Sequence, residues 1–154
     1  MKNQTTVQLS MSELTVLISE IVDNGGSADI TVTGNSMLPM LKDRVSRVRL
    51  ARADELKKGD IPLYRRDNGT FVLHRIVGID SDSYTMCGDN QWHVEKNIRR
   101  DQIVAVVTDY CRNGKWRSCG KKTYRLYAVI WMGIRPLRRI VFGGARRIKR
   151  IFVK

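Results

Sequence analysis

Phe71-Val72-Leu73-His74-Arg75-Ile76-Val77-Gly78-Ile79 is an apolar run, rich in β-branched and aromatic residues, that carries one imidazole and one guanidinium. Asp67-Asn68-Gly69 precedes it and Asp80-Ser81-Asp82 follows, both turn-forming triplets, so it reads as a strand over 71–79. Outward from it the pattern repeats. Short β-type runs fall at 30–33, 45–50, 61–64, 83–86 and 103–108, with a further turn at Lys58-Gly59-Asp60. Many short strands without long helices between them predict a mainly β body. Pro62 lies in the run 61–64 and cannot donate a ladder hydrogen bond, so that strand is expected at a sheet edge or with a bulge.

Helical signals lie at the two ends. Over 10–21, Leu14, Val16, Leu17, Ile18 and Ile21 recur at helical spacing, Ser10 and Glu13 form a capping-box pattern, and Asp23-Asn24-Gly25-Gly26 stops the run. From Tyr124 onward a second helical pattern places Tyr127, Ile130, Ile134, Leu137, Val141, Ile148 and Phe152 near one face. Pro136 and Gly143-Gly144 should divide it. The 154 residues therefore read as an N-terminal helical segment (1–26), a β-rich domain (27–120) and a basic amphipathic tail (121–154).

Charge sharpens that division. The formal net charge is +13, yet residues 1–120 hold 17 Lys and Arg against 15 Asp and Glu, while residues 121–154 hold 11 basic residues and no acidic one. An anionic partner is thus expected at the tail rather than over the whole surface. The three cysteines, Cys87, Cys111 and Cys119, have neither Cys-x-x-Cys spacing nor a histidine at metal-ligand distance in sequence, so neither a disulfide framework nor a zinc site is expected. The longest apolar run, near Leu126 to Ile134, is too short to span a bilayer, and no secretory signal is visible. The expectation is a cytoplasmic protein, peripheral at a membrane.

Three local elements carry chemistry. In Thr33-Gly34-Asn35-Ser36-Met37-Leu38-Pro39 a strand runs into a tight turn and presents a serine, which is a nucleophile only if a base takes its proton. His74, within the strand 71–79, has the ordinary pKa best suited to that task. Asp89, in Cys87-Gly88-Asp89-Asn90, and Glu95, six residues later, are carboxylates that could orient the imidazole. Each element taken singly is also a common structural one: a turn serine, a strand histidine and a Gly-Asp-Asn turn.

Their order is more specific. Gly34-Asn35-Ser36-Met37-Leu38-Pro39, then Lys58-Gly59-Asp60-Ile61, then Leu73-His74-Arg75-Ile76-Val77-Gly78, then Gly88-Asp89-Asn90 resembles the ordered motif boxes of the signal peptidase I superfamily over about residues 30–107. The resemblance implies the signal-peptidase/LexA-like β-fold catalytic domain. It further implies Ser36 as nucleophile and His74 as base, as in the endoplasmic-reticulum and archaeal branch, where other branches use lysine. Asp89 or Glu95 would orient His74, the Ser36 backbone N–H would form the oxyanion hole, and Met37 and Pro39 would touch substrate. Gly34 can offer no hydroxyl where some relatives have one. The usual membrane anchor is absent from the N-terminal segment, and Pro62 interrupts a strand that normally continues with β-branched residues.

The function so implied is serine endopeptidase cleavage of a precursor or leader peptide by Ser-His acyl transfer, without a cofactor or metal. Expected partners are the precursor substrate, an anionic membrane surface met by the C-terminal tail, and a membrane-anchored protein. Three alternatives stand beside it: a self-processing regulator of the same fold, a non-catalytic scaffold that keeps the motif residues, and a basic nucleic-acid-binding protein. The last is disfavoured by the nearly neutral body, and the self-processing relatives use lysine and a DNA-binding domain that this chain lacks.

Overall fold

The apolar run that begins at Phe71 forms two strands rather than one. β4 (Phe71–Leu73) belongs to one sheet and β5 (Arg75–Ile79) to another, and His74 is the residue at which the chain crosses between them. The computed structural model describes residues 11–137. Its first element is helix α1 (Met11–Asp23), followed by β1 (Ala28–Thr31), β2 (Arg47–Ala51) and β3 (Pro62–Arg65). After β4 and β5 come β6 (Ser83–Cys87), β7 (Glu95–Arg99), a single 3-10 turn, β8 (Ile103–Arg112), β9 (Lys115–Ser118) and helix α2 (Lys122–Gly133). The chain is mainly β, as expected.

One sheet runs β1-β2-β8-β3-β4, with β9 also paired to β8, and the other runs β5-β6-β7; every pairing is antiparallel. β3 lies between β8 and β4, so it is not an edge strand. Pro62 is its first residue, where a missing N–H is tolerated, and the register against β8 shifts between Leu63 and Tyr64. The bulge alternative is therefore the one realised. Two strands were not anticipated. β7 has one apolar residue, Ile98, and β9 reads Lys-Trp-Arg-Ser, so neither presents an apolar alternation.

Two packed clusters result. The larger gathers Ile18 and Val22 of α1 with Met37, Met40, Leu41, Val48, Leu50, Ile61, Leu63, Val107 and Tyr124. The smaller holds Tyr64, Ile76, Met86, Ile98 and Ile103. Successive β3 residues thus serve different clusters, Leu63 one and Tyr64 the other, because neighbouring strand side chains point to opposite faces. Of the stripe expected on α1, Ile18 faces the core, whereas Val16, Leu17 and Ile21 are exposed and Val22 is buried instead. The helix ends as the sequence indicates: Gly26 N–H donates to the Ile21 carbonyl and Gly25 N–H to that of Val22, with Gly25 at φ +77°, a Schellman cap. The Ser10 cap and the Gly143-Gly144 break lie outside the described residues. α2 is interrupted at Ile134, two residues before Pro136, where a break was expected.

Candidate active site

Ser36 sits in the run of turns that follows β1. Gly34 opens it at φ +87°, a conformation that side-chain-bearing residues rarely adopt, and its N–H donates to Asp43 Oδ1 at 2.7 Å. Met37, Met40 and Leu41 plunge into the larger cluster at 4 % exposure or less and fix the turn from beneath. From above, the loop 88–90 closes on it. Asn90 N–H donates to the Ser36 carbonyl at 2.8 Å, and Asn90 Nδ2 donates to the Asn35 carbonyl. Gly88 makes that approach feasible, since a Cβ there would stand 2.7 Å from the Ser36 carbonyl oxygen. Ser36 itself remains half-buried, neither sealed in nor free of packing.

His74 is buried at 1 % exposure, in a seam lined by β3, β4 and β7. Its Nδ1 lies 3.2 Å from Glu95 Oε1 and 3.2 Å from the Tyr64 hydroxyl. Glu95, the first residue of β7, is gripped by the Arg66 guanidinium through two hydrogen bonds of 2.7 and 2.5 Å, and it also accepts from Tyr64. Burial disfavours the Glu95 charge, but the hydrogen bonds from Arg66 and Tyr64 outweigh it and hold the carboxyl below its usual range. An ionised carboxylate only accepts, so its contact with His74 requires the proton on Nδ1. That leaves the Nε2 lone pair available to take a proton.

Burial also pushes the His74 pKa below its ordinary value of 6.5; the Glu95 charge acts upward, and the Arg66 charge downward. The imidazole is consequently neutral near pH 7, the state a general base needs. Tyr64 is held protonated, its pKa raised by burial and by the neighbouring Glu95 charge. It is therefore a donor within this cluster.

Asp89 does not join the cluster. It forms a two-pronged ion pair with Arg75, at 2.8 and 2.6 Å, with both side chains 2 % exposed or less. Arg75 also donates to the Gly59 carbonyl, to the Tyr124 hydroxyl and to Met40 Sδ, at 2.8, 2.9 and 3.1 Å. One guanidinium thereby ties four segments: the serine turn through Met40, the Lys58-Gly59-Asp60 turn, the loop 88–90, and α2. Because Arg75 follows His74 directly, the same tie fixes the histidine's chain relative to the serine's turn. Of the two carboxylates that could orient His74, Glu95 is the one in contact, and Asp89 is a structural anchor.

Met37 requires a correction. Expected to touch substrate, it is 1 % exposed and packed in the core, because the turn rolls its side chain inward between α1 and the sheet. Pro39, by contrast, is exposed. Tyr64, Arg66 and Arg75 were missed by sequence reasoning. The alternation of strand faces could have flagged Tyr64 opposite Val72 in the hairpin, but the partners of Arg66 and Arg75 are 29 and 14 residues distant and follow only from topology. The cysteines are free thiols, and burial pushes Cys119 up to about 12, so that it stays an inert thiol. Among the described residues no cluster of His, Cys, Asp and Glu is arranged to hold a metal ion, and no helix is long and apolar enough to cross a membrane.

No protein-family model matches the chain. No curated protein matches it either.

Proposed function

We propose that this chain is a serine endopeptidase of signal-peptidase type, with Ser36 as nucleophile and His74 as general base. The observation that carries the reading is the Arg66-Glu95-His74 chain, with Glu95 3.2 Å from Nδ1, which leaves Nε2 as the acceptor of an imidazole that its own burial keeps neutral. It is supported by the serine turn being fastened through Asn90 and Arg75 to the segment that bears His74.

In the reaction so proposed, Ser36 Oγ attacks a peptide carbonyl while Nε2 of His74 takes the hydroxyl proton. The carbonyl oxygen becomes an oxyanion that the Ser36 backbone N–H stabilises, and Glu95 stabilises the imidazolium. The C–N bond then breaks, the proton passes from His74 to the leaving amine, and an acyl-Ser36 ester remains. Water, deprotonated by His74, attacks that ester and releases the carboxylate product and the free serine. An extended peptide with small residues near the cut is the substrate class proposed, bound as an added strand at a sheet edge.

Wild type, Ser36→Ala and His74→Ala are incubated with peptides containing a small-x-small sequence, and products are identified by mass spectrometry. Cleavage by wild type alone is the expected result. Equal cleavage by Ser36→Ala rules the reading out, and large residues preferred at those subsites rule out the proposed substrate class.

A further inference from the structure

Helix α2 is held to the body by one side only. Tyr124 and Ala128 are buried, Tyr127 and Trp131 are half-buried, and Arg125 turns back to Asp60 at 2.6 Å. The opposite side carries Leu126, Val129 and Ile130, continued by Ile134 and Leu137, all between 37 and 63 % exposed. These residues recur at three- and four-residue intervals and form one apolar stripe. Between Leu126 and Ile134 the sequence has no charged residue. Trp92, 57 % exposed, extends the apolar surface, since it lines a shared cavity with Met132, Arg135 and Pro136.

What covers such a stripe follows from the charge around it. Lys121, Lys122, Arg125 and Arg135 flank it, and the sequence from residue 138 to 154 adds seven basic residues, with no acidic residue anywhere in 121–154. A second copy of this chain would bring the same positive charge against itself. The occupant must present negative charge at its surface and apolar depth beneath, which is the constitution of an anionic lipid bilayer. We infer that the outward face of α2 docks on an anionic lipid surface, its five apolar side chains entering the headgroup boundary and its flanking basic residues meeting the phosphates.

The same helix is wired to the candidate active site. Trp131 Nε1 donates to the Asp89 carbonyl at 3.2 Å, and the Tyr124 hydroxyl donates to the Gly59 carbonyl at 2.8 Å. A docked α2 therefore holds the loop that braces Ser36 at a fixed height over the membrane. If the peptidase reading stands, that presents the serine to precursors still associated with the bilayer. The docking surface itself does not depend on that reading.

The test sediments the full-length protein with vesicles of phosphatidylcholine alone and of phosphatidylcholine mixed with phosphatidylglycerol, beside the double variant Leu126→Asp/Ile130→Asp. Both positions are more than half exposed, so the variant should keep the wild-type circular dichroism. Expected is preferential binding of wild type to the phosphatidylglycerol vesicles, weakened about tenfold or more in the variant. Equal binding by the variant overturns the inference, because the basic residues alone would then explain the attraction. A wild-type dimer that the variant abolishes, without vesicle binding, also overturns it and gives the face to a second copy. Ser36→Ala should bind vesicles as wild type does, so failure of the peptidase reading and failure of this one are separately visible.

Discussion

Glu95 Oε1 lies 3.2 Å from Nδ1 of His74, while the buried carboxylate of Asp89 is spent on Arg75. Two acidic residues six positions apart thus have different work: one sets a tautomer, the other holds loops together. Replacing Glu95 by Gln removes the charge that favours the imidazolium. We expect kcat/KM to fall by at least about 100-fold and the acid limb of its pH profile to move to lower pH. A variant that keeps the wild-type profile would show that Glu95 does not act through His74.

Arg66 is predicted to tune the base from a distance. Its charge depresses the His74 pKa and also holds Glu95 ionised. In Arg66→Met the acid limb of kcat/KM should shift upward by up to about one pH unit, with KM changed much less than kcat. A downward or absent shift contradicts this role. Restoration of the wild-type limb by Arg66→Lys would support charge, rather than the geometry of the guanidinium, as its cause.

Stability should follow the same group. Because the His74 pKa is depressed in the folded state, the unfolded chain binds the extra proton first. The His74 contribution is thus fully present above pH 6.5 and is lost as pH falls toward the folded-state value, with a slope of no more than about 1.4 kcal/mol per pH unit. Urea unfolding of wild type and His74→Gln across that window should show a shallower loss in the variant. Parallel curves would contradict the assignment.

The Arg75-Asp89 pair should behave as architecture. Asp89→Asn leaves a buried guanidinium without its counter-charge, and about 3 to 5 kcal/mol of stability should be lost. The acid limb of activity in whatever fraction folds should move only slightly, toward lower pH, because the Asp89 charge acts upward on His74 less than Glu95 does. The double variant Arg75→Met/Asp89→Leu should recover a substantial part of that loss, measured by denaturant midpoint. A limb shifted as far in Asp89→Asn as in Glu95→Gln would return Asp89 to the catalytic set.

The sequence made the β body legible wherever strands alternate in apolar residues, and it marked the serine, the histidine and both carboxylates through motif order. β7 was invisible because Glu95-Lys96-Asn97-Ile98-Arg99 is nearly all polar, with Asn97 at a positive φ of 59°. The β8-β9 hairpin turns at Asn113-Gly114, whose φ values of 52° and 74° suit a tight hairpin turn, and that dipeptide went unread. The polar Lys115–Ser118 strand after it masked the signal. The division of His74's strand between two sheets, and the choice of Glu95 over Asp89, depend on contacts between residues remote in sequence. Local pattern cannot supply those.

The most direct test of the central claim is to trap the acyl-enzyme. A small-x-small peptide ester is mixed with wild type, quenched in acid within the first turnover, and the protein is mapped by mass spectrometry. The account predicts an acyl adduct on Ser36 in wild type, far slower to form in His74→Ala and absent from Ser36→Ala. Turnover of the ester by Ser36→Ala at the wild-type rate, or an adduct on any other residue, would contradict it.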